Sequence, residues 1–290
     1  MKEKIVLKAR DGTELAATRY IPDSSNYTTV IIAPGMGRRA KHYSGLANFL
    51  CEEGYFVYTF DYRGVGRSRK KAGNHKEATL HQWVSIDLDT IILNAKNQFP
   101  GNELVGLAHG ISGEAVCLAP ACTFFSRLAL VDASLSSWSL AGRHGRLRLF
   151  WAYVYEAACR WIPGVSLCLN RGIPFGVFSE WLSWSRYPNG LFHRYSNNNY
   201  QKLQVPVLSV NFFETPFTTP RAVKALLGQF TNAHHSEWYL SSSGPGRHYP
   251  FYHKKWKDTL WRELVLWMQG REPFQQSHSS RKKSIKIHSG

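Results

Sequence analysis

The sequence predicts an α/β domain, with a mostly parallel sheet wrapped by helices on both faces. Two observations carry this expectation. Short apolar runs recur along the chain, and most are followed by a longer stretch with helical periodicity. Parallel strands need such crossovers because a tight turn cannot join them. The chain also has 290 residues, of which 43% are hydrophobic, enough for one large domain with a substantial core.

Each element follows in order. A hairpin is expected over residues 4–9 and 14–20, turned at Asp11-Gly12, a dipeptide suited to the positive backbone angles of a tight hairpin. Thr28-Thr29-Val30-Ile31-Ile32-Ala33 reads as a buried strand ending at the turn Pro34-Gly35-Met36-Gly37. Residues 43–53 read as an amphipathic helix with Ala47, Leu50 and Cys51 on one face, closed by Gly54. Tyr55-Phe56-Val57-Tyr58-Thr59-Phe60 is the next strand, and residues 82–97 form a helix with Trp83, Ile86, Ile91 and Leu93 inward. Leu104-Val105-Gly106-Leu107 enters a tight turn, after which Glu114-Ala115-Val116-Cys117-Leu118 continues as a helix. Leu128-Ala129-Leu130-Val131 is a strand ending at Asp132. Residues 206–210 and 237–240 read as strands, and residues 221–230 and 257–268 as helices.

Residues 139–200 break this alternation. They are rich in Trp, Tyr, Phe and Arg, are interrupted by Pro163, Pro174 and Pro188, and are too long for a simple connection. An insertion at this point leaves the sheet at its carboxyl edge, where ligands bind in α/β folds. It is expected to form a helical cap whose aromatics either line a site for an apolar or acyl-type ligand or pack the cap onto the core. The resulting division is 1–138 and 201–270 for the core, 139–200 for the cap, and 271–290 for a basic tail expected to lack order.

The formal net charge of +16 favours contact with anionic surfaces, although no nucleic-acid motif accompanies it. The five cysteines are odd in number and lack metal-type spacing, which points to reduced thiols, a cytoplasmic setting, and no metal or cofactor. The first residues contain no apolar signal segment, and no apolar run reaches the roughly eighteen residues needed to span a bilayer.

His109-Gly110-Ile111-Ser112-Gly113 holds the chemistry. In a strand–turn–helix nucleophile elbow the reactive serine stands at the tip, with small residues two positions away on either side. Centring the pattern on residue 110 places Ala108 and Ser112 at those positions, and the tip is Gly110. Centring it on Ser112 places the bulky Glu114 two residues on, and centring it on Ala108 again gives a tip with no nucleophile.

Together with Ile32-Ala33-Pro34-Gly35-Met36-Gly37, Phe60-Asp61-Tyr62-Arg63-Gly64-Val65-Gly66-Arg67-Ser68 and Gly246-Arg247-His248-Tyr249-Pro250-Phe251, this stretch resembles the α/β-hydrolase superfamily, in particular its bacterial serine aminopeptidase-like group. The resemblance covers roughly residues 3–270. It implies an α/β-hydrolase fold and serine-dependent hydrolysis of an ester, thioester or amide bond. It also implies that His248 is the triad histidine, that the triad acid lies near residue 215, and that the Met36 and Ile111 N–H groups form the oxyanion hole. In the Asp-Tyr-Arg-Gly run, Arg63 is expected to hold a glycine turn.

Against that pattern Gly110 replaces the nucleophile and Thr215 replaces the acid, with Glu214 and Asp132 as other acid candidates. Three readings follow. The chain is a hydrolase-like protein with weak or absent triad hydrolysis, kept for binding or another reaction. Alternatively, it is an active hydrolase using Ser112, His248 and either Asp132 or Glu214. A third reading is a basic scaffold for an anionic partner.

Overall fold

The structure is a computed structural model and describes residues 1–69, 78–161, 172–212, 218–240, 250–271 and 286–288. Its sheet has the order β1-β2-β4-β3-β5-β6-β7-β8-β9. The strands are β1 (Lys2–Lys8), β2 (Glu14–Tyr20), β3 (Thr28–Ala33), β4 (Phe56–Phe60), β5 (Glu103–His109), β6 (Phe125–Val131), β7 (Val207–Phe212), β8 (His235–Leu240) and β9 (Lys286–His288). The hairpin β1–β2 turns at Gly12 with φ +81°, as Asp11-Gly12 predicts. From β4 through β3, β5, β6 and β7 to β8 every neighbouring pair is parallel. The fold is an α/β-hydrolase fold.

Alternation along the strands divides the core between two faces. Val30 and Ile32 of β3 pack with α1 (Ser44–Glu52) and α8 (Leu260–Met268) through Leu46, Leu50, Trp261 and Leu264. Ile31 points the other way, towards α3 (Asp89–Gln98) and α7 (Pro220–Leu227), through Ile91, Ala95, Val223 and Leu226.

Three expectations need correction. The helix read at residues 82–97 begins as α2 (Leu80–Gln82) and opens into a π-helical stretch, Trp83–Leu88, before α3. Five of that stretch's six residues are buried, more than one face of an ordinary α-helix presents to a core. The helix after the elbow, α4 (Ile111–Ala115), is short, and 3-10 turns at Val116–Leu118 and Pro120–Phe124 replace its continuation. Pro120 cannot donate to a continuing helical ladder. Finally, the tail expected to lack order contributes β9, which pairs antiparallel with β8.

Between β6 and β7 stand α5 (Arg143–Trp161) and α6 (Phe175–Ser185), with a small core of Ala141, Leu149 and Leu182. This insertion lies along the carboxyl edge of the sheet. A Cβ on Gly37, in the turn after β3, would stand 3.3 Å from Ile173, and one on Gly64 would stand 2.9 Å from Pro174. The Glu180 carboxylate accepts from the His81 N–H and from Tyr195 Oη, and Trp181 Nε1 donates to Ser136 Oγ at 2.9 Å.

Candidate active site

Gly110 joins β5 to α4 with φ +56° and ψ −122°. A residue with a side chain adopts this conformation only at a cost, and it is the sharp strand-to-helix turn that a nucleophile elbow requires. Among the described residues, a Cβ built on Gly110 meets nothing within 4 Å. The sharp turn of the backbone thus falls at residue 110.

The elbow is clamped from three sides. Ser112 is 1% exposed, and its hydroxyl donates to the Pro34 carbonyl at 2.6 Å and stands 2.9 Å from Tyr62 Oη. Its place is that of a tie between α4 and the end of β3, a poor place for an attacking group. At Gly113 a Cβ would come within 2.6 Å of Ala133 and 2.8 Å of the Ala108 carbonyl, so a residue without a side chain is needed there. The Gly110 N–H donates to the Val131 carbonyl, which fixes the turn against β6.

The loop after β3 approaches this tip closely. A Cβ on Gly35 would stand 2.5 Å from His109 Nδ1. Tyr43 joins the two: its hydroxyl accepts from the Gly35 N–H at 3.0 Å and lies 2.8 Å from His109 Nδ1. Burial, reinforced by the nearby Arg38 charge, pulls the His109 pKa down to about 4, so the imidazole is neutral. Ile111 opens α4, so its N–H has no intrahelical acceptor. The Met36 N–H has no backbone acceptor among the described residues either. Neither expected oxyanion donor thus gives its N–H to an acceptor among the described residues.

Of the acid candidates, Asp132 is described. It ends β6 with φ +49°, and its carboxylate accepts from the Phe212 N–H at the end of β7, at 3.2 Å. Burial raises its pKa to about 7, a shift that this hydrogen bond opposes. His248, Thr215 and Glu214 lie outside the described residues. The structure therefore brings together Gly110, Ile111, Met36 and Ser112 around one elbow and places Asp132 at the adjacent strand end.

The glycine turn after β4 is held as its sequence suggests. Arg63 lies between Asp87, which accepts at 2.8 Å from Nε, and Asp11, which accepts at 2.6 Å from Nη1. Asp61 accepts from the Ala40 N–H at 2.7 Å and the Arg67 N–H at 2.9 Å, which binds this turn to the segment leading into α1. The sequence reading did not single out Tyr43, Arg38 or Tyr252. Tyr43 reads as the start of an amphipathic helix, and its hydroxyl's partners come from distant parts of the chain. Glu114 also emerged only as a bulky residue. It is fully buried, with Ser136 donating to it through both N–H and hydroxyl, and burial raises its pKa to about 8.

Residues 24–121 match the family model described as serine aminopeptidase. An acyl transferase of Vibrio harveyi is 30% identical over 90 residues, covering 27% of this chain and 30% of that protein. The match thus spans less than a third of that curated relative's length. Among solved structures, a soluble variant of monoglyceride lipase from Saccharomyces cerevisiae superposes with a TM-score of 0.68 at 14% identity, covering 95% of this chain and 96% of the lipase. A thermostable carboxyl esterase from Bacillus coagulans gives 0.66 at 12% identity, covering 93% of this chain and 98% of the esterase. Strand order and the superposed structures give the chain an α/β-hydrolase fold, and within it residues 24–121 are similar to the serine aminopeptidase family.

Proposed function

We propose that this chain binds an acyl-type ligand, through a carbonyl or carboxylate oxygen, at its elbow and does not hydrolyse it through a serine triad. One observation carries the reading: the tip of the elbow is Gly110, with φ +56°, where no side chain can supply a nucleophile and no described residue stands within 4 Å of a built Cβ. The Met36 and Ile111 N–H groups donate to the ligand oxygen, a role that needs no particular side chain. Neutral His109, held by Tyr43, keeps the loop of Gly35 and Met36 in place for that contact. The insertion acts as a cap over this edge, where Ile173 and Pro174 approach the glycine turns. An acyl-type ligand agrees with the names of the similar proteins, an acyl transferase, a monoglyceride lipase and a carboxyl esterase. The free thiols of Cys51, Cys117, Cys122 and Cys159 support a cytoplasmic setting.

A fluorophosphonate probe tests the reading. The unmodified chain is expected to stay unlabelled and Gly110→Ser to gain labelling. Labelling of the unmodified chain that vanishes in Ser112→Ala would overturn the proposal in favour of a rearranged triad.

A further inference from the structure

Helix α5 is apolar on the wrong side. Leu147, Phe150, Trp151, Val154 and Trp161 follow the i, i+3, i+4, i+7 spacing of a single stripe, and that stripe faces water. Their exposure runs from 43% at Val154 to 84% at Trp161. The inward side of the same helix already supplies the packing that the fold needs. Leu149 is buried with Leu182 of α6, and Glu156 turns in to accept from Ser179 Oγ at 2.8 Å. The outward residues therefore contribute nothing to the core, and an exposed apolar patch of this kind marks an interaction surface. Exposed Arg143, Arg146 and Arg148 accompany the stripe, and Glu156, the helix's acidic residue, is buried.

We propose that α5 lies flat on the surface of an anionic lipid bilayer, with its apolar stripe at the acyl boundary and its arginines among the headgroup phosphates. An apolar, tryptophan-bearing face beside a basic one has the chemistry of an interfacial helix. Lipid phosphate also gives the arginines the counter-charge that the helix's outer surface does not supply. No helix of the described residues is long and apolar enough to cross a membrane, so the helix lies on the surface. A second copy of the chain fits less well. It would bring together two molecules of net charge +16, and the facing helix, with its Glu156 turned inward, offers no carboxylate to the arginines.

Vesicle flotation of the full chain tests this surface, with phosphatidylglycerol–phosphatidylcholine vesicles beside phosphatidylcholine alone. The protein is expected to float with the anionic vesicles, with a blue shift of tryptophan emission, and to float poorly with the neutral ones. The double variant Trp151→Glu/Val154→Glu is expected to weaken the partition at least about tenfold, because two interfacial apolar groups are lost. Arg146→Gln/Arg148→Gln is expected to cost about fivefold per charge on anionic vesicles, the equivalent of about 1 kcal/mol per basic residue near such a surface. All four side chains face solvent, so circular dichroism and the urea midpoint should match those of the unmodified chain. Failure to float at low salt, or equal flotation of the Trp151/Val154 variant, would overturn the proposal. So would a lipid-free dimer that this variant dissociates. Gly110→Ser is expected to float like the unmodified chain, which separates this result from the reading of the elbow.

Discussion

Gly35 and His109 meet so closely that a methyl group on the glycine would stand 2.5 Å from His109 Nδ1. The loop after β3 and the end of β5 thus share one contact, bridged by Tyr43, and neither can shift alone. Gly35→Ala is expected to lose ~1–3 kcal/mol of stability, since the imidazole must move in a closely packed site. Adding His109→Ala is expected to return part of that loss. A double-mutant cycle by urea unfolding checks the coupling, and strict additivity would argue against a direct clash.

Gly110→Ala and Gly110→Ser are both expected to cost ~1–3 kcal/mol through backbone strain, because no described residue stands within 4 Å of a Cβ there. Only the serine variant should gain reactivity towards fluorophosphonates. Urea unfolding of both variants separates strain from chemistry.

Glu114 and Asp132 set a pH dependence. Burial raises their pKa values to about 8 and about 7, so the folded state holds their protons more tightly than the unfolded chain does. Their contribution is fully present below about pH 4, near the unfolded carboxyl pKa values. It is lost as the pH rises through the folded values, to about pH 7–8. Glu114→Gln keeps an acceptor for Ser136 and has no proton to lose. It is expected to flatten the decline in stability between pH 5 and 8, a decline on the order of a few kcal/mol in the unmodified chain. Urea midpoints at several pH values give the slope directly.

Asp87 is fully buried and answers Arg63 with both carboxylate oxygens, one to its N–H and one to its guanidinium. Asp87→Ala is expected to cost about 3–5 kcal/mol, because among the described residues the arginine side chain would be left with Asp11 alone. Asp87→Asn should cost less, since it keeps an acceptor for the Arg63 N–H. Thermal unfolding of the two variants ranks these effects.

Periodicity and turn chemistry made the strands from β1 to β8 legible, because each pairs an apolar run with a clear end signal such as Asp11-Gly12 or Gly54. The sharp turn between β5 and α4 was legible too, because Gly110 follows an apolar run and supplies the positive φ that the turn takes. Tertiary partners were not legible. Glu114 is a charged residue in an apolar run, and only Ser136, far along the chain, accounts for its burial. The aromatics of residues 139–200 were expected to line a site or pack a cap. Trp184 and Tyr200 are buried, whereas Phe150, Trp151 and Trp161 face outward, a third outcome that composition cannot distinguish. β9 depends on a long-range pairing that its short polar sequence does not announce.

The clamp on the elbow governs how this edge of the sheet moves. Ser112 is tied to Pro34, Gly113 is pressed against Ala133, and Gly110 is bonded to Val131. No local fluctuation opens the turn without breaking contacts to both β3 and β6. Amide protons of residues 112–115 should therefore exchange with deuterium only through opening of the whole domain, whereas those of exposed loops exchange quickly. Under the proposed binding at the elbow, association would not wait on rearrangement of the turn.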